Sequence, residues 1–172
     1  MKTLTIAVLN FNSGEYLKKC LLSVKEVEEE ANIKVVAIDN DSTDDSFNLD
    51  KSEFPGVEFI KNGENLGFSK GYNGILKKIK TEFVLLLNPD CLLEKGAVKK
   101  ILEDFENDSR IGAATCKIIL PGGKIDLTAH RGFPTPLASF FYILGDDSLY
   151  HLTKENLDRL HEVDAIAGAF FM

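Results

Sequence analysis

Residues 33–44 read Ile-Lys-Val-Val-Ala-Ile-Asp-Asn-Asp-Ser-Thr-Asp. The apolar centre of Ile33–Ile38 predicts a strand buried on both faces, as in a parallel sheet covered by helices. A run of carboxylates, amides and hydroxyls follows it at once. The same pattern recurs on either side. Leu4–Leu9 is an apolar run rich in β-formers, cut by Asn10-Phe11-Asn12-Ser13-Gly14, and Phe83–Leu87 is the most hydrophobic strand, ended by Asn88-Pro89-Asp90. Between these, Glu15–Val24 carries Tyr16, Leu17, Cys20, Leu21 and Val24 at helical spacing, and Val57–Ile60 is a shorter strand. Gly67–Ile79 sets Tyr72, Ile75, Leu76 and Ile79 on one stripe, and Leu93–Phe105 has an apolar face at Leu93, Ala97, Val98, Ile101, Leu102 and Phe105. This alternation predicts an α/β domain with a mostly parallel, Rossmann-like sheet flanked by helices. Right-handed crossovers gather the carboxyl ends of the strands at one edge, where such folds bind ligands.

The texture changes at Ile111. Ile111–Leu120 reads as a strand, Pro121-Gly122-Gly123-Lys124 as a turn and Ile125–Leu127 as a returning strand, which together predict a β-hairpin added to the parallel core. Arg131–Pro136 reads as loop, Ala138–Leu144 as a short helix, Leu152–Leu160 as a surface helix or turn, and Val163–Met172 as a final apolar segment broken by Gly168. An ending at Ala169-Phe170-Phe171-Met172, inside an apolar run, reads as a domain incomplete at its C-terminal side; a central strand that happens to be last is the alternative.

A chain of 172 residues fits one domain, residues 1–172, with 1–110 as one half and 111–172 as a partial second half. Hydrophobic residues at 44% and charged residues at 27% predict an ordinary globular protein. A net charge of -7, with no block of Lys and Arg, argues against nucleic acid as a partner. The start of the chain is too short in apolar residues for a signal peptide and no run approaches a spanning length, so the cytoplasm is the expected compartment. Cys20, Cys91 and Cys116, odd in number and far apart, read as reduced, mostly buried residues, not as a disulfide framework or zinc site.

Function is carried by the polar clusters at the strand ends. An ionised carboxylate only accepts hydrogen bonds, so Asp39 suits the N–H of a base or the hydroxyls of a sugar. Asp90 suits a divalent cation carrying two phosphates, because hard cations take oxygen ligands. Each cluster also fits a bland reading, since Asn and Asp are frequent in turns and Ser42 or Thr43 suits the cap of a short helix before Asp44-Asp45. Their joint placement is the argument for a site. Asn65-Leu66-Gly67-Phe68-Ser69-Lys70-Gly71-Tyr72-Asn73 adds two glycines at a helix start, where main-chain N–H groups can meet an anion or a ligand can approach closely. It matches neither the dinucleotide fingerprint nor a P-loop.

Four segments combine into one ordered pattern: Val8–Asn12 with Leu17 and Cys20–Val24; Val36–Asp44; Asn65–Phe68 through Asn73; and Phe83–Asp90. Lys117 through Gly122-Gly123, then Arg131, Val163-Asp164 and Gly168-Ala169, extend it. The set resembles the inverting family 2 glycosyltransferases with the GT-A fold, and most of all their rhamnosyltransferase-like branch, over nearly the whole chain. The resemblance implies a nucleotide diphospho-sugar donor of UDP or dTDP type and transfer to a saccharide or lipid-linked acceptor in building a surface polysaccharide or glycolipid. It implies that Asp39 contacts the base, with Leu9, Asn10 and Phe11 lining the same pocket, and that Asn65, Gly67 and Lys70 lie toward the phosphates. Asn88-Pro89-Asp90 stands where the family more often has Asp-x-Asp, so Asp90 would be the main ligand of Mg²⁺ or Mn²⁺ and Asn88 a weaker one. Residues 1–110 would then be the donor half and 111–172 part of the acceptor half.

In the family the reaction is a direct displacement in which a carboxylate base deprotonates the acceptor and the metal stabilises the departing diphosphate. That base lies in an acidic motif beyond the equivalent of Gly168, so the expectation is donor binding without full-rate transfer, and no catalytic residue is assigned. Asp164 matches a strand-start residue near the acceptor side. His130, beside Arg131, is placed toward the diphosphate or acceptor or on the surface, and His151 and His161 are expected on the surface. Phe133, Phe140, Phe141 and Tyr142 are expected in the core or an interface, and exposed apolar surface would favour self-association. A lipid-linked acceptor would put the protein at the inner face of a membrane. A sugar-phosphate nucleotidyltransferase, needing a glycine- and basic-rich loop after the first strand, and a non-catalytic donor-binding fragment are the competing readings.

Overall fold

The structure, a computed structural model, describes residues 2–126, 129–151 and 159–172. They form two compact units, one running to Ala113 and taking in Gly168–Met172, the other spanning Ala114–Ala167.

The first unit is built on four parallel strands: β1 (Thr3–Asn10), β2 (Asn32–Asp39), β3 (Val57–Lys61) and β4 (Phe83–Leu87). Their order is β3-β2-β1-β4, and a short last strand of the chain, Phe170–Phe171, pairs antiparallel with β4. The chain therefore winds outward from β1 to β3 and crosses back to the other side of β1. This reversal makes a topological switch point between β1 and β4, the edge at which open α/β sheets bind ligands.

Alternation along the strands supplies two buried faces. Ala7, Val36, Ile38 and Leu86 pack with Tyr72 and Ile75 of α2 (Gly67–Leu76). The intervening Ile6, Val8, Ala37, Leu85 and Leu87 point to the opposite face and are also buried. Full burial of each large aliphatic side chain contributes about 1.5–3 kcal/mol before the entropy of ordering it. α1 (Tyr16–Glu26) buries Leu17, Cys20, Leu21 and Val24, and α3 (Ala97–Asn107) buries Val98, Ile101 and Leu102.

Two helices differ from the sequence expectation. α2 stops at Leu76, where the chain tightens into a turn as Lys78 N–H reaches the Ile75 carbonyl, although Ile79 still packs against the core. α3 starts at Ala97 instead of Leu93, because Gly96 adopts a left-handed φ of 89° that breaks the helix before it. Glu30 then caps α3 from a distance, accepting from Gly96 N–H at 2.6 Å and Lys99 N–H at 2.9 Å. Leu93 is buried without being helical.

In the second unit β5 (His130–Arg131) pairs antiparallel with β6 (Ala165–Ile166), so Arg131 sits in a strand and not in the expected loop. The helix α4 (Pro136–Ile143) begins on Thr135, whose hydroxyl accepts from Ala138 N–H at 3.1 Å, with Pro136 in the first turn. Ile111–Leu120 does not form the expected strand. The hairpin reduces to one bridge, Ile119 to Ile125, around a turn closed by Gly123 N–H to the Leu120 carbonyl. Gly122 and Gly123 both take left-handed φ values there. Leu127 and residues 152–158, expected as strand end and surface helix, lie outside the described residues.

The aromatic and histidine expectations also change here. Of the aromatics expected in a core or an interface, Phe133, Phe140 and Tyr142 are exposed, which removes the core alternative for these three. His151 is buried, its Nδ1 paired with the Asp147 carboxylate at 2.9 Å, and its ring packs against Tyr142 and Tyr150. Among the cysteines only Cys20 is buried, and burial pushes its thiol up to about 12. Among the described residues, no helix is long and apolar enough to cross a membrane.

Candidate functional site

The polar clusters meet at the carboxyl edge of the sheet. At its centre, Asn10 ends β1 with its side chain fully buried. The amide nitrogen faces Asp39 Oδ1 at 3.0 Å, Ser42 Oγ at 3.0 Å and Ser46 Oγ at 2.8 Å, so two hydrogens serve three acceptors. Its carbonyl oxygen accepts from the Ser13 hydroxyl. Asn10 is thus consumed as scaffold. Asp39 ends β2 at only 3% exposure, its second oxygen accepting from Ser42 N–H at 3.3 Å. A buried carboxylate held by neutral donors keeps spare lone pairs, which is the chemistry for receiving an N–H or hydroxyl.

The loops after β1 and β2 are tied to each other. Asn12 and Asp41 hold left-handed φ values of 49° and 66°, which short polar side chains tolerate best. Asn12 Oδ1 accepts from Thr43 N–H at 2.8 Å, its N–H reaches Ser42 Oγ at 3.0 Å, and Gly14 N–H reaches Asp44 Oδ2 at 2.9 Å. Asp44, and not Ser42 or Thr43, caps the following 3-10 turn through Ser46 N–H, and the Ser46 hydroxyl donating to its carboxylate, with smaller help from the Gly14 and Ser46 N–H groups, holds that carboxyl below the usual range.

Asn40 organises the other flank and was not singled out by sequence reasoning. At 2% exposure, it donates to Asn65 Oδ1 at 2.7 Å and accepts from Asn62 Nδ2 and Leu66 N–H, each at 3.1 Å. Asn65 in turn accepts from Gly67 N–H at 2.9 Å, so that helix-start N–H already has a partner within the chain. Gly67 takes a left-handed φ of 70°. Gly71 serves packing: a Cβ there would stand 2.9 Å from both methyl carbons of Leu9. Lys70 and Phe11 are exposed at this edge.

Asn88-Pro89-Asp90 follows β4 on the far side of the switch point. Asn88 is half-buried and its main chain is fixed by Ala169 and Cys91. Asp90 is exposed, makes no ion pair among the described residues, and receives only the Cys91 thiol at 3.8 Å. No cluster of three or more His, Cys, Asp or Glu able to hold a metal occurs among the described residues. One exposed carboxylate, Asp90, two residues after the amide Asn88, still fits a cation that keeps waters and takes its remaining ligands from a diphosphate, as Mg²⁺ commonly does.

A buried carboxylate and an exposed one are set on strand ends either side of the switch point of an α/β sheet, the edge at which such folds bind ligands. The sequence pattern of glycosyl transferase family 2 matches residues 5–163, and the chain belongs to that family. Over 112 residues it is 30% identical to the SPbeta prophage-derived glycosyltransferase SunS of Bacillus subtilis, covering 62% of this chain and 26% of that protein. Over 139 residues it is 23% identical to the N-acetylglucosaminyl-diphospho-decaprenol L-rhamnosyltransferase of Mycobacterium tuberculosis, covering 74% of this chain and 45% of that one. The chain thus spans less than half the length of these relatives. The fold is the GT-A fold. It superimposes with a TM-score of 0.62 on the Pyrobaculum calidifontis mannosyltransferase PcManGT in complex with GDP-Man and Mn²⁺, at 20% identity over 69% of this chain and 36% of that chain. Staphylococcus aureus TarS in complex with UDP-GlcNAc gives a TM-score of 0.62 at 22% identity, over 75% and 38% of the two chains.

Proposed function

We propose that this chain carries the donor site of an inverting glycosyltransferase of the rhamnosyltransferase-like branch. It takes a UDP- or dTDP-sugar with Mg²⁺ or Mn²⁺ and serves transfer to a saccharide or lipid-linked acceptor. The observation that carries the reading is the pairing of Asp39, buried and fixed by Asn10 and Ser42, with Asp90, exposed and uncommitted, across the β1–β4 switch point.

In this reading Asp39 receives the base N–H while Asn10 and Ser42 keep its carboxylate from turning away, and Leu9 and Phe11 line the base pocket. Asn65 and Gly67 shape the approach to the phosphates, and Lys70 adds a positive charge near them. Asp90, helped by the Asn88 amide oxygen, holds the cation. The cation supplies charge stabilisation to the departing diphosphate. Mn²⁺ in the PcManGT complex and GDP-Man and UDP-GlcNAc in the related structures support the ligand class. Residues 1–110 form the donor half in this scheme and 111–172 contribute to the acceptor half, at the inner face of the membrane where a lipid-linked acceptor is met.

Calorimetric titration with UDP and with dTDP, each with and without Mg²⁺ or Mn²⁺, tests the reading. Metal should strengthen binding, with Asp90→Ala abolishing that gain and Asp39→Ala weakening affinity by about tenfold or more with or without metal. A folded chain that binds neither nucleotide would overturn it.

A further inference from the structure

The second unit holds a cleft of its own, about 540 Å³ in volume, within the range of small-molecule sites. Among the described residues its wall comes from Arg131 of β5, from Ser139, Tyr142 and Ile143 on one face of α4, and from Tyr150 with His151. Main-chain bonds join these pieces. Arg131 and His151 face each other in an antiparallel bridge, and Gly132 N–H donates to the Tyr150 carbonyl at 2.8 Å. Tyr150 N–H and His151 N–H both donate to the Asp147 carbonyl, at 2.9 and 2.8 Å, which closes the turn before them.

The side chains on this frame offer distinct chemistry. Tyr142, Tyr150 and His151 meet as a cluster of rings, with centroids 5.5 Å apart between the tyrosines and 5.2 Å between Tyr150 and His151. Tyr142 remains 52% exposed, so part of its surface is left for another molecule. The Arg131 guanidinium lies over the Tyr150 ring, 5.8 Å from its centre. Its several N–H donors let it keep a partner in the protein and still receive an anion. His151 Nδ1 lies 2.9 Å from the Asp147 carboxylate, which only accepts, so Nδ1 carries a hydrogen. The neutral ring is then left with a lone pair on Nε2, which takes the hydrogen of a hydroxyl.

An anion, hydroxyls and a ring whose C–H face lies against tyrosine describe a charged saccharide. The charge is better met as phosphate than as carboxylate, because Pro134 and the 82% exposed Ile143 line the same cleft. A phosphodiester continues past its charge into an apolar group, whereas a carboxylate ends there. We infer that this cleft binds a phosphate-linked saccharide and is the acceptor subsite of the transferase proposed above. The acceptor role rests on that reading; the binding does not.

Amide NMR titration of the chain tests this with the 1-phosphates of glucose, galactose and N-acetylglucosamine. The matching methyl glycosides, glucuronate and inorganic phosphate are the comparisons. At least one sugar phosphate should shift Arg131, Tyr142, Tyr150 and His151 saturably, about tenfold or more tighter than every comparison compound. Tyr142→Ala, a change at an exposed side chain, should weaken it by about tenfold. Arg131→Gln should erase its advantage over the methyl glycoside, and Arg131→Lys should restore only part of it. If Arg131→Gln does not fold, the wild-type comparison and Tyr142→Ala decide. An octyl phosphodiester of the same sugar separates the sources: tighter binding than the monoester assigns a lipid-linked saccharide, equal binding a free sugar phosphate, and either supports the class. No saturable shift at these residues, or glucuronate or inorganic phosphate binding as tightly, would overturn the inference. UDP with Mg²⁺, read at Asp39–Asp41 in the same chain, keeps the two readings apart. Sugar phosphate bound without UDP upholds the cleft and removes its acceptor role; UDP bound without sugar phosphate overturns the cleft and leaves the donor reading standing.

Discussion

Asn10 brings an amide, not a second carboxylate, to Asp39, and the difference matters because the two side chains meet at 3.0 Å out of solvent. Asn10→Asp keeps the shape and replaces a donor with a like charge. Two carboxylates sharing one site raise the pKa of the pair in the folded state above the ordinary carboxylate value of about 4. The penalty is then fully present above that raised value and fades as pH falls toward the unfolded value. Urea melts should show Asn10→Asp destabilised by about 1–4 kcal/mol near neutral pH, with the deficit shrinking toward about pH 4. A deficit independent of pH would mean that steric change, not charge, is responsible. The strand-end positions of Asp39 and Asp90 were legible in the sequence because each follows an apolar strand with no helical continuation. Tyr72 was legible only as core, since a stripe at helical spacing reports where a ring packs and says nothing of its hydroxyl. Asn40 was hidden for the opposite reason: it stands in a polar run where its role as hub depends on Asn62, Asn65 and Leu66, distant in sequence.

Among the elements, the strands of the parallel core followed from their sequence to within a residue or two, because continuous apolar runs between polar breaks leave little choice of register. Helix ends were less legible. The periodic face of α3 runs back to Leu93, but Gly96 and the remote Glu30 set the true start. Glu30 meets two of the N–H groups that a helix leaves unpaired at its N-terminus. Glu30→Ala should therefore lower the urea midpoint by the equivalent of about 1 kcal/mol, and Glu30→Gln, which retains an acceptor, by less. An unchanged midpoint in Glu30→Ala would show that water replaces the cap without cost. The expected hairpin is the clearest miss of scale: its turn chemistry at Gly122-Gly123 was right, but a turn fixes only a bridge when the strands beside it lack partners.

Taken as a whole, the chain puts its polar chemistry where the topology places it. Three loops distant in sequence converge because β1 lies between β2 and β4, and the order β3-β2-β1-β4 reverses the winding there. With a net charge of -7, the chain does not attract a diphosphate by its overall field, and in the proposed reading a cation at Asp90 would answer that need locally. The central claim is that metal and nucleotide meet at this edge. Paramagnetic Mn²⁺ reports its own location, so the decisive measurement is the amide NMR spectrum of the chain titrated with trace Mn²⁺ in the presence of UDP. Selective broadening of Asn88, Asp90 and Cys91, with shifts at Leu9–Phe11 and Asp39–Asp41 that require UDP, is the predicted result. Broadening scattered over other surface carboxylates, with those segments unmoved, would contradict it.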